Sequence, residues 1–318
     1  MKNQARPIVL IDGLNLFIRH YAAHPAMSKN GDQTGGIVGF LNSIDMISKK
    51  VGPSEIYVFW ESQGSIKKRS LHKDYKRKKK PLKLNRYYTD IPDSVSNQKD
   101  QIRIIVECLK YTAVRQVYGE GCEADDLIGY VCNYTLKEKR KVIVSSDHDY
   151  YQLLDNKTLI WSPTLKKIVS KHHVLERYNV SAENFCLAKS ITGDRSDNIL
   201  GVKGISYKTA SKMIPGLRES YQMTLDGLFD EIKNQTTNKK PLLFERLKHS
   251  ENLVRRNWRL VRLDTRNLSH THIKKINTAH DKEKSVNNKL GMLRLLLKLG
   301  IDGVRIDSLF TSLKILTR

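Results

Sequence analysis

The first 170 residues alternate short apolar runs with stretches that have the period of a helix. Four of the runs are rich in β-branched or aromatic side chains and have the length of buried strands. These runs are Pro7–Ile11, Ile56–Trp60, Val114–Tyr118 and Lys141–Ser146. Apolar residues at helical spacing lie between them in Leu16–Ala23, Ile37–Lys50, Asp93–Ala113 and a segment from Glu123 to about Lys139. The alternation predicts an α/β fold with a mainly parallel sheet flanked by helices.

The rest of the chain is mostly helical in pattern. Leu159–Trp161 and Lys167–Val169 predict a small hairpin or a fifth strand, and a further helix is expected to begin near Ser206. Phe244–Leu263 is a basic helical pattern, and Asn288–Leu299 is a leucine-rich one. We expect these two segments to complete a helical second domain over residues 186–318, after a first domain over residues 1–185.

Acidic residues follow three of the four predicted strands. Asp12 ends the first strand, Glu61 ends the second, and Asp147 and Asp149 follow the fourth. The carboxyl ends of parallel strands meet at one edge of the sheet, where ligands of open α/β folds bind. In an extended segment, Asp147 and Asp149 would project to the same side and suit one metal ion. Alternatively, Asp12 caps the next helix, and Asp147 and Asp149 have a role in the core or in a turn.

Three further acids occupy four positions in Glu123-Ala124-Asp125-Asp126, just before an apolar helical run. On a helix, Glu123 and Asp126 share one face, and Asp125 lies about 100° away. Carboxylates this close repel one another unless a polyvalent cation neutralises them, and oxygen ligands alone favour Mg²⁺ or Mn²⁺ over zinc. The alternative is a helix with an acidic first turn, which the helix macrodipole favours.

A second acidic segment carries Asp194 and Asp197 and leads into a Gly-x-x-Gly turn. Gly201 and Gly204 let the backbone approach a ligand closely, and the next helix presents free N–H groups that can bind phosphate. An ordinary helical hairpin with a glycine turn is the alternative. Strand ends and loops together supply nine acids that could hold two divalent ions, an arrangement that suits in-line attack on a phosphodiester. The nine are Asp12, Glu61, Glu123, Asp125, Asp126, Asp147, Asp149, Asp194 and Asp197.

The net charge of the chain indicates what kind of molecule it binds. The 318 residues include 56 Lys and Arg against 33 Asp and Glu, which gives a net charge of +23 and a pI near 9.8. Such an excess indicates a polyanionic partner, most commonly nucleic acid, with an anionic membrane as the alternative. The sequence has no apolar span of 18 residues and no signal-peptide pattern. The four cysteines form no CxxC pair, so we expect reduced thiols in an intracellular protein.

Much of the excess charge lies between Ser65 and Tyr88. This stretch has eleven Lys or Arg and a single acid, Asp74, with Tyr75 and Tyr87 interleaved. Such a run repels itself too strongly to pack alone, and backbone phosphates are its natural counter-charge. Tyrosines among the cations can stack on unpaired bases. A solvated loop or a localisation-type basic tract is the alternative.

The acidic motifs resemble, in type and order, those of 5′-nucleases of the flap endonuclease family. The resemblance is strongest to the bacteriophage 5′-to-3′ exonucleases also called phage ribonuclease H. The shared motifs are Ile11–Asn15, Gly121–Asp126, Ser146–Asp149 and Gly193–Asn198 running into Gly201–Ile205, with weaker similarity at Trp161–Pro163 and Glu251–Val254. The resemblance implies a PIN-like twisted sheet, a basic helical arch over about residues 65–100 of a nuclease domain, and a C-terminal helix-hairpin-helix domain that binds DNA.

The resemblance also implies roles for the acids and the arch. One metal site takes the acids that match Asp12, Glu61, Glu123 and Asp125, and the other takes those that match Asp126, Asp147, Asp149, Asp194 and Asp197. A 5′ single strand passes through or under the arch. Lys76 and Arg69 are assigned to the scissile phosphate and Tyr75 to stacking on a base, and Asp126 and Asp147 complete the catalytic group. The other arch residues expected to bind nucleic acid are Arg77, Lys78, Lys79 and Lys80.

In that family, the segment matching Gly201–Thr209 grips a duplex backbone and often holds K⁺ through carbonyls, here near Val202 and Ile205. The nucleic-acid-binding residues implied are Gly201, Lys203, Gly204, Ser206, Lys208 and Thr209. Three departures from the family's pattern stand out. Glu61 replaces the usual aspartate and could shift the first metal. Lys203 and Ser206 replace the common proline and glycine of the turn; Lys203 could add a phosphate contact, whereas Ser206 could loosen the turn. Arg77–Lys80 replaces a Gly-Asn-Arg pattern.

The resemblance therefore implies a Mg²⁺-dependent hydrolase, with Mn²⁺ as a substitute, that cuts DNA or RNA annealed to DNA from a 5′ end or at a 5′ flap, as in primer removal. Two alternatives stay open. A DNA-binding protein of the same fold could have lost turnover, with Glu61 as the argument for it. A ribonuclease of single-stranded RNA is disfavoured by the duplex-binding hairpin and the basic arch.

The expected setting follows from the same resemblance. We expect a cytoplasmic monomer, in the bacterial host cytoplasm if the protein is from a phage, with no membrane contact. Its partners would be DNA with 5′ ends, flaps or RNA primers, and single-strand binding protein or a sliding clamp are further candidates. Ser308–Leu313 is either a helix end, which we favour, or a short clamp-binding peptide.

Overall fold

The structure, a computed structural model, describes residues 5–77, 95–234, 241–283 and 286–317. Its centre is one six-stranded sheet. The strands are β1 (Ile8–Asp12), β2 (Glu55–Ser62), β3 (Arg115–Glu120), β4 (Lys141–Val144), β5 (Thr158–Ser162) and β6 (Lys167–Val169). Their spatial order is β3-β2-β1-β4-β5-β6, and every neighbouring pair is parallel except the β5–β6 hairpin. The predicted α/β fold with a mainly parallel sheet is confirmed.

The helices of the first half connect these strands. They are α1 (Gly13–Ala23), α2 (Gly35–Val51), α3 (Ile66–Leu71), α4 (Val95–Lys110) and α5 (Ala124–Tyr130). Beyond α5 the chain continues as a π-helical turn over Val131–Thr135, so the helical segment ends four residues before the predicted Lys139. The buried Lys141 ammonium donates to the carbonyl oxygens of Leu136 and Lys139, which holds the chain in a turn at that point.

The second half is helical apart from one short hairpin. Its helices are α6 (Lys171–Tyr178), α7 (Phe185–Thr192), α8 (Tyr207–Met213), α9 (Leu225–Asn234), α10 (Pro241–Lys248), α11 (Glu251–Val261), α12 (His270–Asp281), α13 (Lys289–Lys298) and α14 (Ile306–Leu313). Between α7 and α8, β7 (Gly193–Asp194) pairs with β8 (Ile199–Leu200). The predicted helix near Ser206 is α8, and the basic pattern over residues 244–263 forms parts of α10 and all of α11.

Apolar side chains cover both faces of the sheet. Along β1, Val9 and Ile11 face a layer built with α1, α2 and α4, whereas Ile8 and Leu10 face a layer that includes α5 and α12. This alternation follows from the two-residue period of a strand. A third core joins α7, α8, α9, α10 and α11. With both faces covered, the carboxyl edge of the sheet stays open for a site.

The last two helices pack on the sheet layer of α1 and α2. The buried side chains that join this layer are Met292, Leu296, Leu309, Phe310 and Leu313. The expectation that Asn288–Leu299 completes the second domain is therefore wrong, since its apolar face is covered by the first layer. Ser308–Leu313 lies within α14, as favoured, with its apolar side chains buried. The position of a domain boundary stays a prediction.

All four cysteines are buried, unpaired thiols. None of the helices in the described ranges combines the length and the apolar composition that crossing a bilayer requires.

Candidate active site

Asp12 closes β1 and begins α1 at the carboxyl edge of the sheet. Its side chain accepts a hydrogen bond from the Asn15 amide at 3.1 Å, and its Oδ2 accepts one from the Tyr150 hydroxyl at 3.0 Å. Burial, together with repulsion from Glu61 and Asp147, raises the pKa of Asp12 to about 7. Asp12 is thus both a helix cap and one of the nine predicted acids, which we call the acid group, so the two interpretations of this residue are compatible.

Glu61 connects the end of β2 to the start of α5. Its Oε2 accepts a hydrogen bond from the Ala124 amide at 2.9 Å. Glu123, at the N-cap position of α5, makes no side-chain capping bond of its own. The Glu61 carboxylate therefore satisfies one of the free N–H groups at this helix terminus. Burial raises the pKa of Glu61, although the Ala124 hydrogen bond lowers it.

The acids of the α5 segment surround a lysine. Glu123, Asp125 and Asp126 are buried, and one oxygen of each lies within 4.8 Å of the others. The Lys68 Nζ lies 2.7 Å from a Glu123 oxygen, 3.2 Å from Asp126 and 3.5 Å from Asp125, and Lys68 is 1% exposed. Burial alone would lower the pKa of Lys68, but Asp125 and Asp126 raise it well above its usual value. An ammonium group thus neutralises part of this cluster.

Asp126 has one satisfied and one unsatisfied oxygen. Its Oδ1 accepts a hydrogen bond from the Asn267 amide group at 2.9 Å. Its Oδ2 is buried and has no hydrogen-bond partner among the described residues. Burial raises the pKa of Asp126 to about 7, more than Lys68 lowers it. A buried carboxylate oxygen without a partner is costly unless a cation or a proton binds it.

A second lysine lies between the acids of two other segments. The Lys189 ammonium, 3% exposed, contacts Asp149 directly and lies 2.6 Å from the Asp194 Oδ2. Although burial raises the pKa of Asp194, Lys189 holds it at about 2. This lysine therefore joins α7 to the segment after β4.

The segment after β4 forms a 3₁₀ helix. The expectation that Asp147 and Asp149 project to the same side had assumed an extended segment. The Asp147 carboxylate accepts a hydrogen bond from the Asp149 amide at 2.9 Å and caps a 3₁₀ helix over His148–Leu153. That capping bond turns the chain, so the argument from strand alternation is wrong. Both acids nonetheless lie in the same acid group.

Lys76 links the hairpin loop to the α5 acids. Its Nζ lies 2.5 Å from the Glu123 Oε1 and 3.8 Å from the Asp197 Oδ2, and its amide donates to the Asp197 carbonyl at 3.0 Å. Burial, opposed by Lys76, raises the pKa of Asp197 to about 7. The backbone of Lys76 is left-handed, with a φ of 51°.

All nine predicted acids belong to one group. Asp12 is repelled by Glu61 and Asp147, and Asp125 is repelled by Asp149. Glu61 is repelled by Glu123 and Asp125, and Asp197 by Asp147, Asp149 and Asp194. The structure thus brings together the acids at the ends of β1, β2 and β4, as the parallel-sheet argument predicted. The acids of α5 and of the β7–β8 hairpin join them.

The arch residues divide between buried, exposed and undescribed positions. Tyr75 is 3% exposed, and its hydroxyl donates to Glu123 at 2.8 Å, so its ring is not available to a base in this conformation. Arg69 is exposed, and the exposed Arg77 pairs with Asp74 at 3.1 Å. Lys78, Lys79 and Lys80 lie outside the described residues. Stacking of Tyr75 on a base stays a prediction that requires the ring to move.

The glycine turn has a tight, well-capped geometry. Gly204 has a φ of 86°, and a Cβ on Gly201 would lie 2.0 Å from the Thr192 carbonyl oxygen. Ser206 caps α8 by accepting a hydrogen bond from the Thr209 amide at 3.2 Å. The expectation that Ser206 loosens the turn is therefore wrong. Lys203 and Lys208 are exposed, and Ile205 donates to the Val202 carbonyl at 3.2 Å.

Sequence reasoning missed the polar side chains that contact the acids. These are Lys68, Lys189, Tyr150 and Asn267. Lys68 was one of eleven cations in the basic stretch, and nothing in the sequence distinguishes it from Lys67 or Arg69. Lys189 lies one helical turn before the Asp194 loop, which was its one available signal.

Comparison with known proteins gives a family and several relatives. The profile of the 5′-3′ exonuclease N-terminal resolvase-like domain matches residues 7–179. DNA polymerase I of Caldicellulosiruptor bescii is 29% identical over 248 residues, which are 74% of this chain and 28% of that protein. A 5′-3′ exonuclease of Aquifex aeolicus is 27% identical over 211 residues, which are 66% of this chain and 69% of that protein. The chain thus spans less than a third of the polymerase and about two thirds of the exonuclease.

A solved structure is similar over nearly the whole chain. The flap endonuclease of bacteriophage T5, in a complex with DNA and metal ions, has a TM-score of 0.64 and 21% identity over 93% of this chain and 99% of that one. At this identity the likeness supports the fold alone.

Proposed function

The chain belongs to the 5′-3′ exonuclease family defined by the N-terminal resolvase-like domain, and from that membership we propose that it is a divalent-metal-dependent 5′-nuclease. It hydrolyses phosphodiesters from 5′ ends or at 5′ flaps of DNA and RNA/DNA duplexes, which suits primer removal in DNA replication. The observation that carries this proposal is the convergence of nine carboxylates at the carboxyl edge of the sheet, three of them with oxygens within 4.8 Å of one another.

The acid group fits divalent ions such as Mg²⁺, with Mn²⁺ as a substitute. All of its ligand atoms are carboxylate oxygens, which these hard cations prefer, and the buried Asp126 Oδ2 has no other partner among the described residues. We assign Asp12, Glu61, Glu123 and Asp125 to one ion. The second ion takes Asp126, Asp147, Asp149, Asp194 and Asp197. Two ions held by these residues would activate an attacking water and would offset the charge on the leaving oxygen.

Lys76 and Arg69 complete the proposed catalytic group. The Lys76 ammonium already lies 2.5 Å from Glu123 and can turn toward a phosphate that binds above the acids, where it would offset developing negative charge. Arg69 is exposed on α3, next to the buried Lys68, and offers a fork of donors to the same phosphate. Tyr75 would leave Glu123 and stack on a base when the strand binds.

The glycine turn is the proposed contact to the duplex. Gly201 and Gly204 permit close approach of a phosphate backbone, and the exposed ammonium groups of Lys203 and Lys208 flank the N-terminus of α8. The Val202 and Ile205 carbonyls are the candidate K⁺ ligands.

Single-strand binding protein is a candidate protein partner. A clamp-binding peptide at Ser308–Leu313 is disfavoured, because Leu309, Phe310 and Leu313 are buried.

The purified protein should be incubated with Mg²⁺ and a 3′-labelled duplex that bears a 5′ flap, beside a blunt duplex and an EDTA control. Metal-dependent cuts at the flap base are expected. A ladder from the blunt end would identify an exonuclease as the main activity, and an RNA 5′ segment would test primer removal.

Loss of turnover is the competing proposal. Tight binding to the flap substrate without product in either Mg²⁺ or Mn²⁺ would support it. Because Glu61 caps α5 where the family has an aspartate, Glu61→Asp is then the first substitution to test for restored cleavage.

A further inference from the structure

A groove lined by arginines runs along α11 and the segment that follows it. Three adjoining cavities of about 410, 390 and 440 Å³ share Trp258 and Arg262. We call this the arginine groove and define it by Lys67, Arg255, Trp258, Arg259, Arg262 and Arg266. None of these residues belongs to the acid group, the arch residues assigned above or the glycine turn.

The arginine groove carries more positive than negative charge. Asp226 and Asp264 are the acids among the described residues that line the first two cavities. Asp226 pairs with Arg255 at 2.7 Å, and Asp264 pairs with Arg262 at 3.3 Å. Arg259 is exposed and forms no hydrogen bond or ion pair with the described residues through its side chain. The third cavity adds Lys137, Asp155 and Glu183, so six cations face four acids over the three cavities. This excess of positive charge favours an anionic ligand.

Trp258 holds two of the arginines in place. The guanidinium carbons of Arg262 and Arg266 lie 4.6 Å and 5.2 Å from the ring centroids of Trp258. A guanidinium that is already fixed on an aromatic face loses less conformational entropy when it binds a phosphate. The arginine groove is therefore partly organised for phosphate binding.

The arginine groove lies directly behind the acid group. The adjacent residues Lys67 and Lys68 of α3 point to different sides: Lys67 lines the groove and donates to the Arg266 carbonyl at 2.8 Å, whereas Lys68 contacts the acids. Asn267 likewise lines the groove and donates to Asp126 at 2.9 Å. Lys67 and Lys68 of α3, together with Asn267, therefore link the groove to the acid group.

We propose that the arginine groove binds the phosphate backbone of the single-stranded segment that carries the 5′ end, beyond the scissile bond. This inference rests on the proposed 5′-nuclease function. A concave groove of a few hundred Å³ admits a flexible single strand, whereas a duplex is convex and better contacted by an exposed turn such as Gly201–Thr209. Arginine and an aromatic ring together are typical of single-strand binding surfaces.

The test compares flap length with affinity in EDTA, where no strand is cut. Fluorescence anisotropy measures binding to a flapless duplex, a dinucleotide flap and a dodecanucleotide flap. In wild type we expect the long flap to bind most tightly. Arg259→Gln with Arg266→Gln should weaken long-flap binding by about tenfold and lower its log–log salt slope by roughly 0.7 per lost contact, with flapless binding unchanged.

A matched control removes two arginines from the opposite face of the sheet. Arg103 of α4 and Arg294 of α13 are exposed, and their helices belong to the layer of α1 and α2. Arg103→Gln with Arg294→Gln should leave the effect of flap length intact. Thermal unfolding checks both double variants, and Arg259→Gln alone, which breaks no ion pair in the described structure, serves if the groove variant is unstable.

The outcomes separate this inference from the proposed function. Unchanged long-flap affinity in the groove variants would overturn the inference that the groove binds the single strand. An equal loss of affinity for the flapless duplex would also overturn it, because the groove would then contact the duplex. Cleavage of the dinucleotide flap by the groove variant should match wild type. If wild type cuts no substrate in metal, the proposed function fails, but the flap-length comparison still reports on the groove.

Discussion

At the scale of single residues, three ammonium groups determine how nine acids coexist. Lys68 contacts the three α5 acids, Lys76 spans Glu123 and Asp197, and Lys189 spans Asp149 and Asp194. Carboxylates buried this close would otherwise protonate or repel one another. The lysines and divalent ions therefore neutralise the same carboxylates. A bound ion should restore part of the stability that is lost when one of these lysines is removed.

Lys68→Met tests this compensation. In EDTA the substitution should lower the stability of the protein by about 3–5 kcal/mol, because three buried carboxylates lose their counter-charge. Mg²⁺ should restore part of the loss, since a bound ion neutralises the same acids. Thermal unfolding with and without Mg²⁺ measures both effects. Lys110→Met, in an exposed pair with Glu107, is the control, and an equal loss with and without Mg²⁺ would contradict the argument.

Asp147→Asn tests the acid group as a catalytic site. The substitution keeps size and removes one charge from the second set of proposed ligands. We expect cleavage to fall by about a hundredfold or more, because metal binding is impaired, while DNA affinity stays close to wild type. Flap cleavage and anisotropy are measured on the same preparation, beside the exposed Asp281→Asn. A parallel fall of binding and cleavage would show that Asp147 acts in DNA binding.

At the scale of elements, the site depends on how strand ends and turns are capped. Glu61 satisfies the first turn of α5, Asp147 turns the chain after β4, and Ser206 caps α8. Each cap places a neighbouring functional segment. The glycine turn before α8 depends instead on the absence of a side chain, because Gly201 packs against the Thr192 carbonyl.

Gly201→Ala should disrupt this turn. The added Cβ would lie 2.0 Å from a backbone oxygen, so the segment must shift at a cost of about 1–3 kcal/mol. We expect weaker duplex binding with the acid group intact. Gly52→Ala is the control: its φ is 59° and a Cβ meets nothing within 4 Å, so it costs about 1 kcal/mol through backbone strain alone. Unchanged duplex affinity in Gly201→Ala would remove the turn from the proposed interface.

At the scale of the whole molecule, the nine acids of the site gather at one sheet edge in a chain whose net charge is +23. Clusters of cations occur in the basic stretch, at the glycine turn and in the arginine groove. A nucleic acid held over the acid edge could therefore contact cations on several sides. Such binding should depend strongly on salt because each phosphate contact releases counterions.

Replacing Lys78, Lys79 and Lys80 by Ala tests the basic stretch, whose centre lies outside the described residues. The log–log salt slope of DNA binding should flatten by about 0.7 to 0.9 per lost contact. Titrations across several salt concentrations give the slope. Alanine at the exposed Lys139, Lys275 and Lys298 matches the loss of charge. An unchanged slope in the first variant, or an equal change in the second, would mean that the stretch does not contact the DNA specifically.

The sequence by itself determined the alternation of strands and helices and the placement of acids at strand ends. Both are local properties: strand and helix periods are read within ten or so residues, and parallel strands bring their carboxyl ends to one edge whatever the details of packing. Asp12, Glu61 and Asp147 could therefore be assigned to one group before any contact was known.

Only the tertiary structure decided which polar side chains face that group and what covers each helix. Lys68 meets Glu123 across 55 residues, and Asn267 meets Asp126 across 141, so no local pattern distinguishes them from their exposed neighbours. The burial of Tyr75 and the packing of α13 on the first layer have the same origin. Periodicity fixes which face of an element is apolar, whereas the partner of that face depends on how distant elements pack together.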